Sequence, residues 1–181
     1  MRIIAGKFRG RIITSPNSKF IRPMTDRVRV TLFDILSNKI DFDGIKVLDL
    51  YSGSGSIGLE ALSRGASKVH FVEKYFSIYK QLVKNIETIQ AVDHCRIFKM
   101  EALKFTRMAE HESYDLIFAD PPFFKDDIYG VAENLKSYNF VNDGGLIIIQ
   151  RSIQTKEKDK LHLEIEPFKI IGDSCLYQLS R

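Results

Sequence analysis

Cysteine is scarce in this chain of 181 residues. There are two, Cys95 and Cys175, far apart and in no metal-ligand spacing. No metal site is expected, and the usage fits a reduced, intracellular protein. Each thiol reads as a small core residue rather than a nucleophile. The four histidines, His70, His94, His111 and His162, are scattered and form no constellation. No apolar run approaches the ~20 residues that span a bilayer. Met1 to Lys7 lack the apolar core of a signal peptide. Internal repeats and low-complexity tracts are absent too. A cytoplasmic monomer with no membrane partner is the expectation.

What is present is ordinary for a globular protein: 44% hydrophobic and 28% charged residues. The length fits one domain with a small appendage. Charge is unevenly placed. Residues 1–30 hold eight basic side chains against one acid, Asp26, a charge of +7; with a total of +4, the remainder sums to −3. Lys7, Arg9, Arg11, Arg22, Arg27 and Arg29 are the candidate contacts to a polyanion, with nucleic acid favoured. Residues 1–24 are expected as a basic hairpin and connector, and 25–181 as the main domain.

Along the chain, Ile3-Ile4 and Ile12-Ile13 flank Gly6 to Gly10, the pattern of a β-hairpin. Thr25 is a candidate N-cap for a helix over 26–38. From residue 44 the periodicity alternates. Strands are predicted over 45–50, 68–72, 95–98, 114–119 and 146–149. Helices are predicted over 56–64, 75–90, 102–109 and 126–137. The stripe Tyr79, Leu82, Val83, Ile86 and Ile89 is the expected buried face of the second of these. Asn142 to Gly145 reads as a turn. The fold class is therefore α/β, a Rossmann-like, doubly wound, mostly parallel sheet. After it, 152–160 reads as a solvated charged loop. Strands over 161–165 and 176–179, with no helix between, form a C-terminal antiparallel pair.

The centre of the pattern is Asp49-Leu50-Tyr51-Ser52-Gly53-Ser54-Gly55-Ser56-Ile57-Gly58. A strand ends, a glycine-rich loop turns, and a helix begins. This matches G-x-G-x-x-G, and Glu73 ends the next strand where an acid can hold a ribose. A nicotinamide or flavin enzyme is compatible with that much. Asp49 argues otherwise, because a carboxylate before the glycines repels a pyrophosphate and attracts a cation. S-adenosylmethionine carries an ammonium and a sulfonium and no phosphate. Asp49, Tyr51, Ser52, Gly53, Gly55, Glu73, Glu101 and Ala102 are the candidate cofactor contacts, the last two beside an adenine.

Asp120-Pro121-Pro122-Phe123 closes the fourth strand. An exocyclic amine on a nucleobase is a poor nucleophile, since its lone pair is delocalised. The Asp120 carboxylate and the Pro121 carbonyl can accept its two N–H bonds, and Pro122 stiffens the backbone. Phe123 can stack on the base. The lone pair then faces the methyl donor. Catalysis of this kind is positioning and electrostatics, and the base must leave its stack.

These motifs resemble a known family. Asp49 to Gly55 resembles motif I of class I S-adenosylmethionine-dependent methyltransferases, and Asp120 to Phe123 resembles their amino-methylating tetrad. The opening Met1 to Arg11, the run Arg22 to Arg29, and Gly58 to Ala66 are similar to the RsmD family of bacterial 16S rRNA guanine-N2 methyltransferases. The resemblance covers essentially the whole chain. It implies a guanine in small-subunit rRNA as target, action during ribosome assembly, S-adenosylhomocysteine as product, and RNA contact by the N-terminal hairpin. Phe123 replaces the common tyrosine, Glu101 a common aspartate, and Met24 a usual threonine. Three alternatives stay open at this point. They are an adenine-N6 methyltransferase acting on RNA or DNA, a nicotinamide-dependent reductase, and a non-catalytic RNA-binding assembly factor.

Overall fold

The computed structural model describes residues 1–15, 24–122 and 125–179. Two of the candidate residues, Arg22 and Phe123, lie outside them. Strands β1 (Lys46–Leu50), β2 (Lys68–Val72), β3 (Cys95–Phe98), β4 (Tyr114–Ala119), β5 (Val141–Ser152), β6 (Lys169–Ile171) and β7 (Ser174–Leu179) form one sheet. Their order is β3-β2-β1-β4-β5-β7-β6. The first five are parallel; β7 runs antiparallel to both β5 and β6. The expected doubly wound sheet with an antiparallel end is present. The order reverses at β1, whose neighbours are β2 and β4, which opens a crevice at the carboxyl ends of β1 and β4.

Helices cover both faces. On one lie α1 (Asp26–Ser37), α2 (Ser56–Ser63) and α3 (Phe76–Thr88), packed on Val47, Phe71, Leu116 and Phe118. On the other lie α4 (Ala102–Phe105), α5 (Asp127–Ser137) and α6 (Lys156–Leu163), packed on Leu48, Leu50, Ile117 and Ile149. Side chains alternate across a strand, so adjacent residues of β1 feed opposite cores. Each buried Leu or Ile contributes roughly 1.5–3 kcal/mol. Thr25 caps α1 as expected, its Oγ1 accepting from Val28 N at 3.3 Å. Among the described residues no helix is long and apolar enough to cross a membrane.

The N-terminal hairpin forms, with Arg2 and Ile12 paired antiparallel. It is seated on α2 rather than free. Ile4 N and Ala5 N donate to the buried Glu60 carboxylate at 2.6 and 3.1 Å, and Lys7 N donates to Ser63 O at 2.7 Å. A Cβ on Gly6 (φ +79°) would sit 1.7 Å from Ser63 O, so the close approach requires glycine there. Ile3 and Ile13 join the core of the main body.

Four expectations need correction. The segment read as a charged loop and then a strand over 161–165 is helix α6, because Asp159 turns inward to Arg151; the antiparallel pair begins instead at Lys169. Asn142 to Gly145 lies within β5, at an irregularity of the β4–β5 register, with Gly144 at φ +78°. The helix predicted over 102–109 is shorter, Ala102–Phe105. The buried side of α3 is Ile78, Leu82, Asn85 and Ile86; Tyr79 and Val83 are only half-buried.

Candidate active site

The glycine loop joins β1 to α2 through three residues in the left-handed region, Tyr51 at φ +57°, Gly53 at φ +54° and Gly55 at φ +82°. Asp49 stays in the strand, 2% exposed, and its Oδ2 accepts from Gly58 N at 2.9 Å. That bond binds the strand end to the first turn of the helix, whose early N–H groups otherwise lack partners. Gly53 is open: no atom but Tyr51 O comes within 4.0 Å of a Cβ placed there. Gly55 and Gly58 are glycine for another reason. A Cβ on Gly55 would meet Leu82 Cδ1 at 2.4 Å, and one on Gly58 would meet Phe71 Cε1 at 2.4 Å.

Beside the loop is a cavity of about 270 Å³, near the lower end of the roughly 300–1,000 Å³ of small-molecule sites. Its wall brings together Asp49, Tyr51, Ser52, Gly53, Glu73, Glu101, Ala102, Asp120, Pro121 and Pro122. Gly55 is not on that wall; it serves the packing of α2 against α3. Glu73 is 6% exposed and already engaged, Oε2 accepting from Gly53 N at 3.1 Å and Oε1 from Tyr75 N at 2.7 Å. Each oxygen keeps lone-pair capacity for a hydroxyl. Glu101 is exposed and lies 3.8 Å from Lys74 Nζ, leaving Ala102 as the apolar floor.

Five carboxylates therefore line one cavity, and burial raises the titration of three of them, Asp49, Glu73 and Asp120. Burial pushes Asp49 up to about 8, against the Gly58 N–H, with the charges of Asp120 and Glu73 adding to the rise. Burial pushes Asp120 up to about 7, against the pull of Arg151. Glu73 is also raised by burial, opposed by the N–H groups of Tyr75, Gly53 and Lys74. Such a cluster disfavours its own full ionisation and gains from a cation in its midst. Burial, then the nearby Asp127 carboxylate, raise the Tyr51 hydroxyl.

A family model described as Conserved hypothetical protein 95 matches residues 1–179. The chain belongs to the RsmD family. It is 34% identical over 154 residues to Ribosomal RNA small subunit methyltransferase D of Escherichia coli strain K12, a match covering 85% of this chain and 76% of that one. It is 36% identical over 162 residues to the protein of the same name from Haemophilus influenzae, covering 88% and 80%. A solved structure, a putative methyltransferase yhhF from Escherichia coli, superposes with a TM-score of 0.81 at 30% identity, covering 98% of this chain and 97% of that one.

In this RsmD-family chain several wall residues escaped the sequence patterns. Lys74 and Tyr75 directly follow Glu73, and Lys125 and Asp127 lie two and four residues past the tetrad. Their signal was position alone, in the segments that leave the carboxyl ends of β2 and β4. Arg151, fully buried, was not foreseen at all. The basic arm also needs a correction. Lys7, Arg9, Arg11 and Arg27 are exposed, but Arg29 is 1% exposed. Its Nη2 donates to Arg2 O at 2.7 Å and to Asp26 Oδ1 at 2.8 Å. Arg29 locks the hairpin to α1 and does not present a charge to a partner.

Proposed function

We propose that this chain is an S-adenosylmethionine-dependent rRNA methyltransferase that modifies the N2 amine of a guanine in 16S rRNA of an assembling small subunit. The observation that carries the reading is the convergence of Asp49, Glu73 and Asp120 on one cavity at the β1–β4 crevice, with Pro121 and Pro122 beside the third acid. The donor set fits the cofactor: acids for its cationic end, Glu73 for ribose hydroxyls, and Ala102 with Met100 for the adenine. Bound there, the cofactor supplies an electrophilic methyl group and leaves as S-adenosylhomocysteine.

The chain's residues do the rest. Asp120 accepts one N–H of the target amine and the Pro121 carbonyl accepts the other, which turns the nitrogen lone pair toward the methyl carbon. The cofactor, held by Asp49, Glu73 and Ala102, would supply the methyl group and keep the electron pair of the broken bond on its sulfur. The nitrogen then carries a surplus proton, and Asp120, with its pKa near 7, is matched to take it at neutral pH. Phe123 is assigned to stacking on the flipped base. Residues 1–24 act as the RNA-binding appendage, through Lys7, Arg9, Arg11 and Arg22, with Arg27 from the domain over 25–181.

The test is a labelled-methyl assay on hypomethylated small subunits, free rRNA and DNA, with the product nucleoside identified. N2-methylguanosine is expected from rRNA; N6-methyladenosine, or label in DNA alone, would replace the reading. Asp120→Ala should lower turnover by about a hundredfold or more while cofactor binding is largely kept. Normal turnover in that variant would sink the mechanism.

A further inference from the structure

Outside the arm, the chain sums to a negative charge, yet one face of it is basic and aromatic. Phe76 opens α3 and is 55% exposed. Its ring lies nearly parallel to that of Tyr79, with centroids 6.3 Å apart and planes 11° apart. Lys80 Nζ stands 4.6 Å from the Phe76 centroid, and Lys99 Nζ stands 5.4 Å from it. Lys84 continues the same exposed side of α3.

The position of the group matters more than its composition. Lys74 and Tyr75, just before Phe76, line the cavity, and so do Met100 and Glu101, just after Lys99. The aromatic pair is therefore the outer lip of the cavity on the β2–β3 side. Asp120 follows β4, two strands from β2. At ~4.8 Å per strand that is about 10 Å, or about three stacked nucleotides.

We propose that Phe76, with Tyr79 beside it and Lys80 and Lys99 flanking it, is a stacking platform for an unpaired base of the RNA strand that carries the target nucleotide. The proposal rests on the rRNA reading above. Exposed aromatics interleaved with lysines are the chemistry of single-strand binding. The ring takes any base face, and the ammonium groups swing from the ring to the backbone phosphates. A protein partner fits less well, because lysine is depleted from the cores of protein interfaces and the exposed apolar area here is one ring. A flipped guanine needs its neighbours held apart from their own stack, and a platform a few nucleotides away does that.

The experiment titrates an unstructured RNA oligomer carrying 2-aminopurine into the full chain, saturated with S-adenosylhomocysteine, and its variants. Phe76→Ala should weaken binding about tenfold and abolish the quenching of the stacked base; Phe76→Tyr should restore both. Lys80→Ala with Lys99→Ala should reduce the log–log salt slope by about 1.4, since each phosphate contact in a single strand contributes about 0.7. Cofactor affinity and the melting temperature should match the unmutated chain. Unchanged oligomer affinity and quenching in Phe76→Ala would overturn the platform. So would a defect confined to protein-bearing particles, which would assign the face to a protein. Methylation of rRNA by the unmutated chain is scored in parallel. If it persists while the platform variants bind normally, only the platform falls; if it is absent, the rRNA reading itself falls.

Discussion

A carboxylate in an unfolded chain titrates near 3.9, whereas the folded chain holds Asp49 protonated to about 8 and Asp120 to about 7. Below about pH 4 both states keep these protons, and the two groups leave stability unchanged. Above it the unfolded chain ionises first, so the ligand-free fold loses stability steadily until the pH passes the folded values. The melting temperature of the ligand-free protein should therefore fall between about pH 5 and 8 through these groups, and Asp49→Asn should make the fall shallower. Parallel curves for the two proteins would refute the assignment. A bound cation reverses the penalty, so cofactor binding near neutral pH should release protons. Calorimetry in buffers of different ionisation enthalpy would measure this, with a smaller release expected from Asp49→Asn. Asp49 was legible in the sequence because a carboxylate ahead of glycines is chemically odd for a phosphate site. Arg29 was misread for the opposite reason: a count of charges carries no burial, and its partners Arg2 O and Asp26 are supplied by the folded hairpin and helix.

At the scale of elements, α6 has the largest consequence for the site. Its Asp159 is fully buried; Oδ1 accepts from Arg151 Nε at 3.0 Å and from Tyr129 OH at 2.8 Å, and Oδ2 accepts from Thr155 Oγ1 at 2.7 Å. Arg151 is the penultimate residue of β5, inside its buried run, and its charge is what opposes the burial of Asp120. Removing one partner of a buried ion pair costs about 3–5 kcal/mol. Asp159→Ala should lose stability of that order by denaturant unfolding; a loss below about 1 kcal/mol would show that the pair behaves as an exposed one. The run Lys156-Glu157-Lys158-Asp159-Lys160 gave no apolar stripe to signal a helix, and its one inward residue is itself an acid. Elsewhere the period was informative, and β2, β3 and β4 match their predicted bounds. The strands next to the site were legible because fully buried parallel strands are short apolar runs that stop at an acid or a glycine. Asn85 was hidden in α3 because an amide at a core position breaks the stripe that periodicity looks for.

That amide connects the two halves of the molecule. Asn85 is 3% exposed, and its Nδ2 donates to Thr14 O and to Ser54 O, both at 2.9 Å. Its Oδ1 accepts from Thr14 N at 3.1 Å and from Gln81 Nε2 at 3.2 Å. Thr14 lies at the end of the basic hairpin, and Ser54 is in the glycine loop on the cavity wall. One side chain thus ties the end of the hairpin to the glycine loop on the cavity wall. A ligand that orders one end through Asn85 would lower the cost of ordering the other, and such coupling is reciprocal. RNA should tighten cofactor binding and the cofactor should tighten RNA binding by one common factor, typically five- to about 150-fold. Asn85→Ala leaves buried backbone groups unpaired, at about 1–3 kcal/mol each, so some loss of stability is expected in any case. The informative quantity is the ratio of cofactor affinities with and without RNA, which stability alone does not move. In Asn85→Ala that ratio should fall toward one while Lys7, Arg9 and Arg11 still give a salt-dependent RNA affinity. A ratio equal to that of the unmutated chain would mean that arm and cavity respond independently, and that Asn85 is only a core amide with all its bonds made.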